Sequence, residues 1–224
     1  MTRQSSTALR LFVAMPLTQD ALARAQATIE ELRTADTGGD IRWVRPEGLH
    51  ITLAFLGQVP PEAVPDVVDA LAEVIRHDRN PISTPSPLDV QTLRFSPDGH
   101  SLRSRDLALT LDAVELFPGP QRPQVIWYRV GGSTASLARL AYAVRASLSE
   151  ITPITDGSSF RPHVTLGRVR SGKRPVPWLP EALPEYDNRT PASWNPDGIE
   201  LWRSEMGVGG SRYEPLARLP FLEG

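Results

Sequence analysis

Gly48-Leu49-His50-Ile51-Thr52-Leu53-Ala54-Phe55-Leu56-Gly57 is a run of aliphatic, aromatic and β-branched residues closed by glycine at both ends, with Pro46, Pro60 and Pro61 just outside it. Such a run is a β-strand. Alternation along a strand puts His50 and Thr52 on one face and Ile51, Leu53 and Phe55 on the other. A titratable ring and a hydroxyl then sit side by side, with an apolar face behind them. The pattern recurs: Arg161-Pro162-His163-Val164-Thr165-Leu166-Gly167-Arg168 carries the same order of histidine, β-branched residue, threonine and leucine, with His163 113 residues after His50.

The segments around the two motifs follow one plan. Arg10 to Met15 is an apolar strand with both faces buried, and Thr18 caps a helix whose stripe is Leu22, Ala25, Ile29 and Leu32. Ile41 to Val44 is a short strand. After the first motif, Pro60-Pro61 opens a second helix with Val64, Val67, Val68, Leu71, Val74 and Ile75 on one face, and Pro65 in its first turn, where proline is tolerated. Leu88 to Phe95 alternates in part, and Ser96-Pro97-Asp98-Gly99 is a turn signature. Leu107 to Leu111 and Val125 to Val130 are two more strands. Ser133 or Thr134 caps a third helix with Leu137, Leu140, Ala141, Val144, Leu148 and Ile151 on its apolar face. The second motif strand follows. Past the proline-rich loops at 171–184 and 191–197, Gly198 to Ser204 and Arg212 to Leu219 form a closing hairpin around Gly207 to Gly210. Each motif thus follows a helix and a loop, at a spacing of about half the chain. This predicts a diverged internal duplication and an α+β fold: one bilobal domain over residues 1–224, with pseudo-twofold symmetry, two antiparallel β-sheets facing a central cleft, and helices on the outside.

Composition narrows the chemistry. The 224 residues suffice for a sizeable core. The formal charge of −2 provides no global field for long nucleic acid, so an anionic substrate must be small or held by a local patch. With no cysteine, thiolate metal sites, Cys nucleophiles and disulfides are excluded. The longest apolar runs are too short to span a bilayer. Met1 to Thr7 is polar and lacks the apolar region of a signal peptide, so a cytoplasmic protein is expected.

Two His-x-Thr pairs meeting in a cleft suit displacement at a phosphodiester phosphorus. In-line attack needs a base on the incoming oxygen and an acid on the leaving oxygen, on opposite sides of phosphorus. Imidazole, with an ordinary pKa of about 6.5, can serve either way near neutral pH. Threonine hydroxyls can donate to the non-bridging oxygens. A single strand histidine is more often structural or simply exposed than catalytic. Here, however, two of the four histidines carry the same Thr-Leu suffix. His77 ends a helix stripe, where it suits the dipole, and His100 lies beside the Pro-Asp-Gly turn; neither has a threonine companion. Two histidines with no regularly spaced carboxylate make a poor metal site, so no metal is expected.

The stretches Trp43 to Gly57 and Phe160 to Arg168 closely resemble the two-histidine phosphoesterase superfamily, and within it the bacterial and archaeal RNA 2′,3′-cyclic phosphodiesterases, once described as 2′-5′ RNA ligases. The likeness extends to Arg10-Leu11-Phe12-Val13-Ala14, Val125-Ile126-Trp127 and Ser211-Arg212-Tyr213-Glu214-Pro215-Leu216, and so covers nearly the whole chain. The resemblance implies hydrolysis of RNA 2′,3′-cyclic phosphate ends to 2′-phosphomonoesters, with neither metal nor cofactor; RNA ends or nucleoside 2′,3′-cyclic phosphates are the expected partners, and a monomer is expected. It implies His50 as the acid, His163 as the base, and Thr52 and Thr165 as holders of the phosphate. Other cyclic phosphates, 2′-5′ linkages, or RNA-end binding without turnover are the competing readings. Arg168 matches a basic family position near the phosphate, but strict alternation puts it on the face opposite His163, so that role requires a bulge, a strong twist or the strand's end. Phe55, Trp127 and Tyr213 are candidates to stack on a base. Aromatics in strand runs belong more often to the core, and alternation further sets Phe55 on the face of Leu53. Unlike the family, residues 79–105 read as an insertion, with Arg94, Arg103 and Arg105 in it: a mobile surface loop or a border to the cleft.

Overall fold

A computed structural model of the chain describes residues 7–76, 107–154, 160–170, 176–183, 191–207 and 210–221. The strands are β1 (Leu9–Pro16), β2 (Ile41–Trp43), β3 (His50–Val59), β4 (Leu109–Phe117), β5 (Val125–Gly132), β6 (His163–Val169), β7 (Ala192–Trp194), β8 (Gly198–Gly207) and β9 (Gly210–Pro220). The helices are α1 (Gln19–Ala35), α2 (Val64–Arg76), α3 (Thr134–Leu148) and α4 (Trp178–Ala182). The proposed insertion at 79–105, the strand and turn expected at 88–99, His77 and His100 all lie outside the described residues.

The sheet runs β7-β4-β5-β6-β3-β1-β8-β9, with β2 pairing to β6, and every pairing is antiparallel. The two expected sheets are its two halves. They meet at β3 and β6, where the single ladder pair is Ile51 with Val164. Beyond that pair β3 leaves β6, and β2 takes up the rest of the β6 edge, with Ile41 opposite Val169 and Trp43 opposite Gly167. A short 3₁₀ turn, Pro46–Gly48, joins β2 to β3 along that edge.

All the helices lie on one face of the sheet and enclose the main core with it. That core holds Ile51, Leu53, Val164 and Leu166 from the two motif strands. α1 and α3 each cross to the other half. α1, which follows β1, packs on β6, β7 and α4, while α3, which follows β5, packs on β3 and α2. The buried hydroxyl of Thr28 on α1 meets the phenol of Tyr128 on β5 at 2.6 Å. From α3, Arg145 Nε donates to the Leu53 carbonyl of β3 at 2.9 Å.

Most expected elements are present, with shifted edges and two additions. The α1 stripe is Ala21, Ala25, Thr28, Ile29 and Leu32, with Leu22 only half-buried. The stripe is turned because Thr28, a polar residue that hydrophobic periodicity passes over, is drawn inward by Tyr128. Thr18 and Ser133 take the N-cap positions of α1 and α3 without a side-chain capping bond. The strand expected at Leu107 to Leu111 instead runs from Leu109 to Phe117, carried past Leu111 by an irregularity before Val114. α4 and β7 fall where proline-rich loops were expected.

The Thr28–Tyr128 bond ties α1 to the opposite half, and its loss is measurable. Tyr128→Phe leaves a buried hydroxyl short of that partner and should cost about 1–3 kcal/mol in chemical denaturation. The double variant Thr28→Val, Tyr128→Phe should lose less than the two single losses added.

Candidate active site

Ile51 and Val164 point into the core, so the flanking residues of both strands point the other way. Continuing the antiparallel register by one residue each way sets His50 across from Thr165, and Thr52 across from His163. The two histidines are then diagonal neighbours, a relation that separates Cβ atoms by about 7–8 Å in a regular ladder. Both His-Thr pairs thus lie on the helix-free face, at the seam between the halves.

The motif strands share more than their sequence. The β1–β3 ladder pairs Ala14 with Thr52 and Phe12 with Phe55, leaving Leu53 as an extra residue. The β5–β6 ladder pairs Trp127 with Thr165 and Val125 with Arg168, leaving Leu166 as the extra one. Directly opposed residues share a face, as do residues two apart on a regular strand. Phe55 therefore shares the face of Thr52, and Arg168 shares the face of Thr165. The bulge that Arg168 needed is present. The expectation for Phe55 was wrong for the same reason: the bulge reverses alternation after Leu53, and Phe55 is 42% exposed rather than in the core. The Leu53 carbonyl at this bulge is the one bonded by Arg145. At the matching place in β6, Gly167 leaves room for β2, since a Cβ there would stand 2.6 Å from Ile41 Cγ2 and 3.1 Å from Trp43 Cε3.

Each imidazole is oriented by its own chain. His50 Nδ1 donates to the Gly48 carbonyl at 2.8 Å, and His163 Nδ1 donates to the Arg161 carbonyl at 2.8 Å. A carbonyl can only accept, so Nδ1 carries hydrogen in both rings. Nε2 is then left as the atom that gains or loses the working proton. In His50 that atom stands 3.0 Å from the Thr52 hydroxyl.

The surroundings of the two rings differ. His50 is enclosed by Phe12, Trp202 and Tyr213, at ring-centre distances of 5.0, 5.0 and 5.5 Å. Phe12, Ala14 and Trp202 form a small separate core on this face, with Tyr213 against it. Burial lowers the His50 pKa from 6.5 to about 4; the hydrogen bond to Gly48 opposes the shift, and the charges of His163 and Arg168 add to it. That influence places His163 and Arg168 within electrostatic reach of His50. His163 packs on Trp127 at 4.4 Å and is the more open of the two.

All the residues singled out from sequence therefore face one region: His50, Thr52, Phe55 and Tyr213 from one half, and Trp127, His163, Thr165 and Arg168 from the other. Sequence reading missed Phe12, expected in a strand buried on both faces, and Trp202. Both touch His50 only through strand pairing, with Phe12 opposite Trp202, and no local pattern marks them. Among the described residues, no three His, Asp or Glu side chains converge as a metal ion would require, and no helix is long and apolar enough to cross a membrane.

Comparison with known proteins gives a consistent result. The RNA 2′,3′-cyclic phosphodiesterase of Aeropyrum pernix is 28% identical over 182 residues, which is 81% of this chain and 87% of that protein. The protein of the same name from Archaeoglobus fulgidus is 26% identical over 208 residues, 93% of this chain and 98% of its own. Among solved structures, TT0787 of Thermus thermophilus has the same fold, with a TM-score of 0.66 at 24% identity, covering 95% of this chain and 98% of that one. E. coli LigT complexed with 3′-AMP gives a TM-score of 0.61 at 25% identity, covering 96% and 98%. The family model of the 2′-5′ RNA ligase superfamily matches residues 18–207, and with most of its length so matched, this chain belongs to that superfamily.

Proposed function

We propose that this chain hydrolyses RNA 2′,3′-cyclic phosphate ends to 2′-phosphomonoesters, with His50 and His163 as its acid–base pair and no metal in the reaction. One observation carries the reading: two strands of like sequence and like bulge present His50-Thr52 and His163-Thr165 on a single face at the seam of the sheet. The names of the relatives agree with it. The crossed packing of α1 and α3 supports treating the two lobes as one catalytic domain.

In this mechanism the cyclic phosphate lies between the two imidazoles. Water attacks phosphorus in line with the 3′-oxygen. The base takes a proton from the water as the new P–O bond forms, and the acid protonates the 3′-oxygen as its P–O bond breaks. The phosphate stays on the 2′-oxygen. Thr52, Thr165 and Arg168 stabilise the charge on the non-bridging oxygens, where fixed donors act most strongly. Thr52, hydrogen-bonded to His50 in the free protein, turns its donor to the phosphate as substrate enters. Phe55, Trp127 and Tyr213 line the same face as ring surfaces for the terminal base.

The environment of His50 supports one direction. With a pKa of about 4, His50 is protonated in only about one molecule in a thousand at pH 7. It is therefore the base, and the more open His163 is the acid. This reverses the order implied by the family resemblance; the physical reason is the aromatic enclosure that makes a charged His50 costly.

Two measurements test the reading. His50→Ala and His163→Ala should each lower kcat on nucleoside 2′,3′-cyclic phosphates by roughly 10²–10⁴-fold, with wild-type turnover persisting in excess chelator. Full activity in both variants would remove the mechanism. In the pH profile of kcat/KM, a base with a pKa near 4 must lose its proton before reaction, so the rate should rise with pH through about 4 and fall again at higher pH, where the acid His163 loses its proton. A profile with no rise through about 4 would overturn the base role of His50.

A further inference from the structure

Beside the histidine face lies a pocket lined by Arg42, Arg45, Glu47, Arg168, Arg212 and Tyr213. The β2–β6 ladder sets Arg42 directly opposite Arg168. Like charges in that relation repel, and an anion between them would relieve the repulsion. Elsewhere among the described residues, several arginines are neutralised by a carboxylate. Arg33, Arg76, Arg129, Arg203 and Arg218 each have a carboxylate within 4.0 Å. Among the described residues, Arg42, Arg45, Arg168 and Arg212 have no such pair, and Glu47 is the one carboxylate in their pocket. In a chain of net charge −2, this is a local concentration of unneutralised guanidinium groups.

The pocket is continuous with the histidine site. Opposed residues share a face, so Arg42 lies on the face of Arg168, and hence on that of Thr165 and His163. Gly48, whose carbonyl holds His50 Nδ1, is part of its lining. Tyr213 turns its ring nearly perpendicular to that of His50, at 87°. The same ring rests against Gly48, where a Cβ would come within 3.4 Å of it. Gly48, Tyr213 and Arg168 thus border both the pocket and the histidine site.

We propose that Arg42, Arg45 and Arg212, sharing Arg168 with the histidine site, form a second anion subsite that holds the phosphodiester linking the terminal nucleoside to the rest of an RNA chain. The inference rests on the proposed cyclic-end hydrolysis and names its substrate class: oligonucleotide ends in preference to mononucleotides. A guanidinium fork matches the oxygens of a phosphodiester in both shape and charge. With the cyclic phosphate between the histidines, that phosphodiester is the next anion along the substrate, and a nucleoside 2′,3′-cyclic phosphate lacks it.

The test compares cytidine 2′,3′-cyclic phosphate with a triribonucleotide ending in the same group, and adds equilibrium binding of the two corresponding 2′-phosphates. Wild type should favour the triribonucleotide in both kcat/KM and Kd. Arg42→Gln and Arg212→Gln should each lower kcat/KM on the triribonucleotide about tenfold, mainly through KM, and lower it far less on the mononucleotide. The dependence of log Kd on log salt for the triribonucleotide should become shallower by roughly 0.7 for each arginine removed. Arg33→Gln, on the exposed flank of α1, should change neither preference. Equal losses on the two substrates, or a wild type that treats them alike, would overturn the subsite. If neither substrate turns over, the proposed hydrolysis fails, and the Kd comparison still decides the subsite.

Discussion

The pairing of Ile51 with Val164 is the constraint on which the rest of this structure depends. It is the one ladder pair between β3 and β6, and so the only place where the two halves of the sheet are stitched edge to edge along those strands. Because both residues point into the core, their neighbours must point away from it, and those neighbours are the two histidines and two threonines. One apolar contact therefore closes the core and gathers the polar quartet. Since the pairing ends there, β2 rather than β3 takes up the rest of the β6 edge.

The bulges after Thr52 and Thr165 determine what surrounds that quartet. An extra residue reverses the facing of everything beyond it. In β3 it brings Phe55 out beside Phe12, at 6.0 Å, and in β6 it brings out Arg168. The same backbone device thus delivers an aromatic ring to one half and a cation to the other. Arg145 satisfies the carbonyl that the β3 bulge exposes, and it does so from a helix belonging to the other half, so the local irregularity depends on the crossed helix packing.

The duplicated frame carries two unlike histidines. Strand geometry treats them alike, down to the hydrogen bond from Nδ1 to a carbonyl two residues earlier. Their side-chain surroundings do not. β1, β8 and β9 close aromatic rings over His50, whereas β5 sets an indole against His163, which is the more exposed of the two. Like backbone settings thus leave two differently solvated rings, and burial lowers the pKa of His50.

The sequence by itself determined the site's composition and the class of fold. The repeated His-x-Thr-Leu, its spacing across half the chain and its placement after helix and loop are local patterns, and local patterns survive in a sequence. Faces after a bulge are not local. Strict alternation misplaced Phe55 and left Arg168 unresolved, because a bulge is a mismatch between two strands and only the partner strand shows it. Thr28 joined the α1 stripe because of a phenol 100 residues away. Phe12 and Trp202 reached His50 through cross-strand pairing. The lowered pKa of His50 followed from burial by rings on three separate strands. What tertiary structure alone decided was which residues share a face and how much water each retains, and both depend on neighbours that are far apart in the chain.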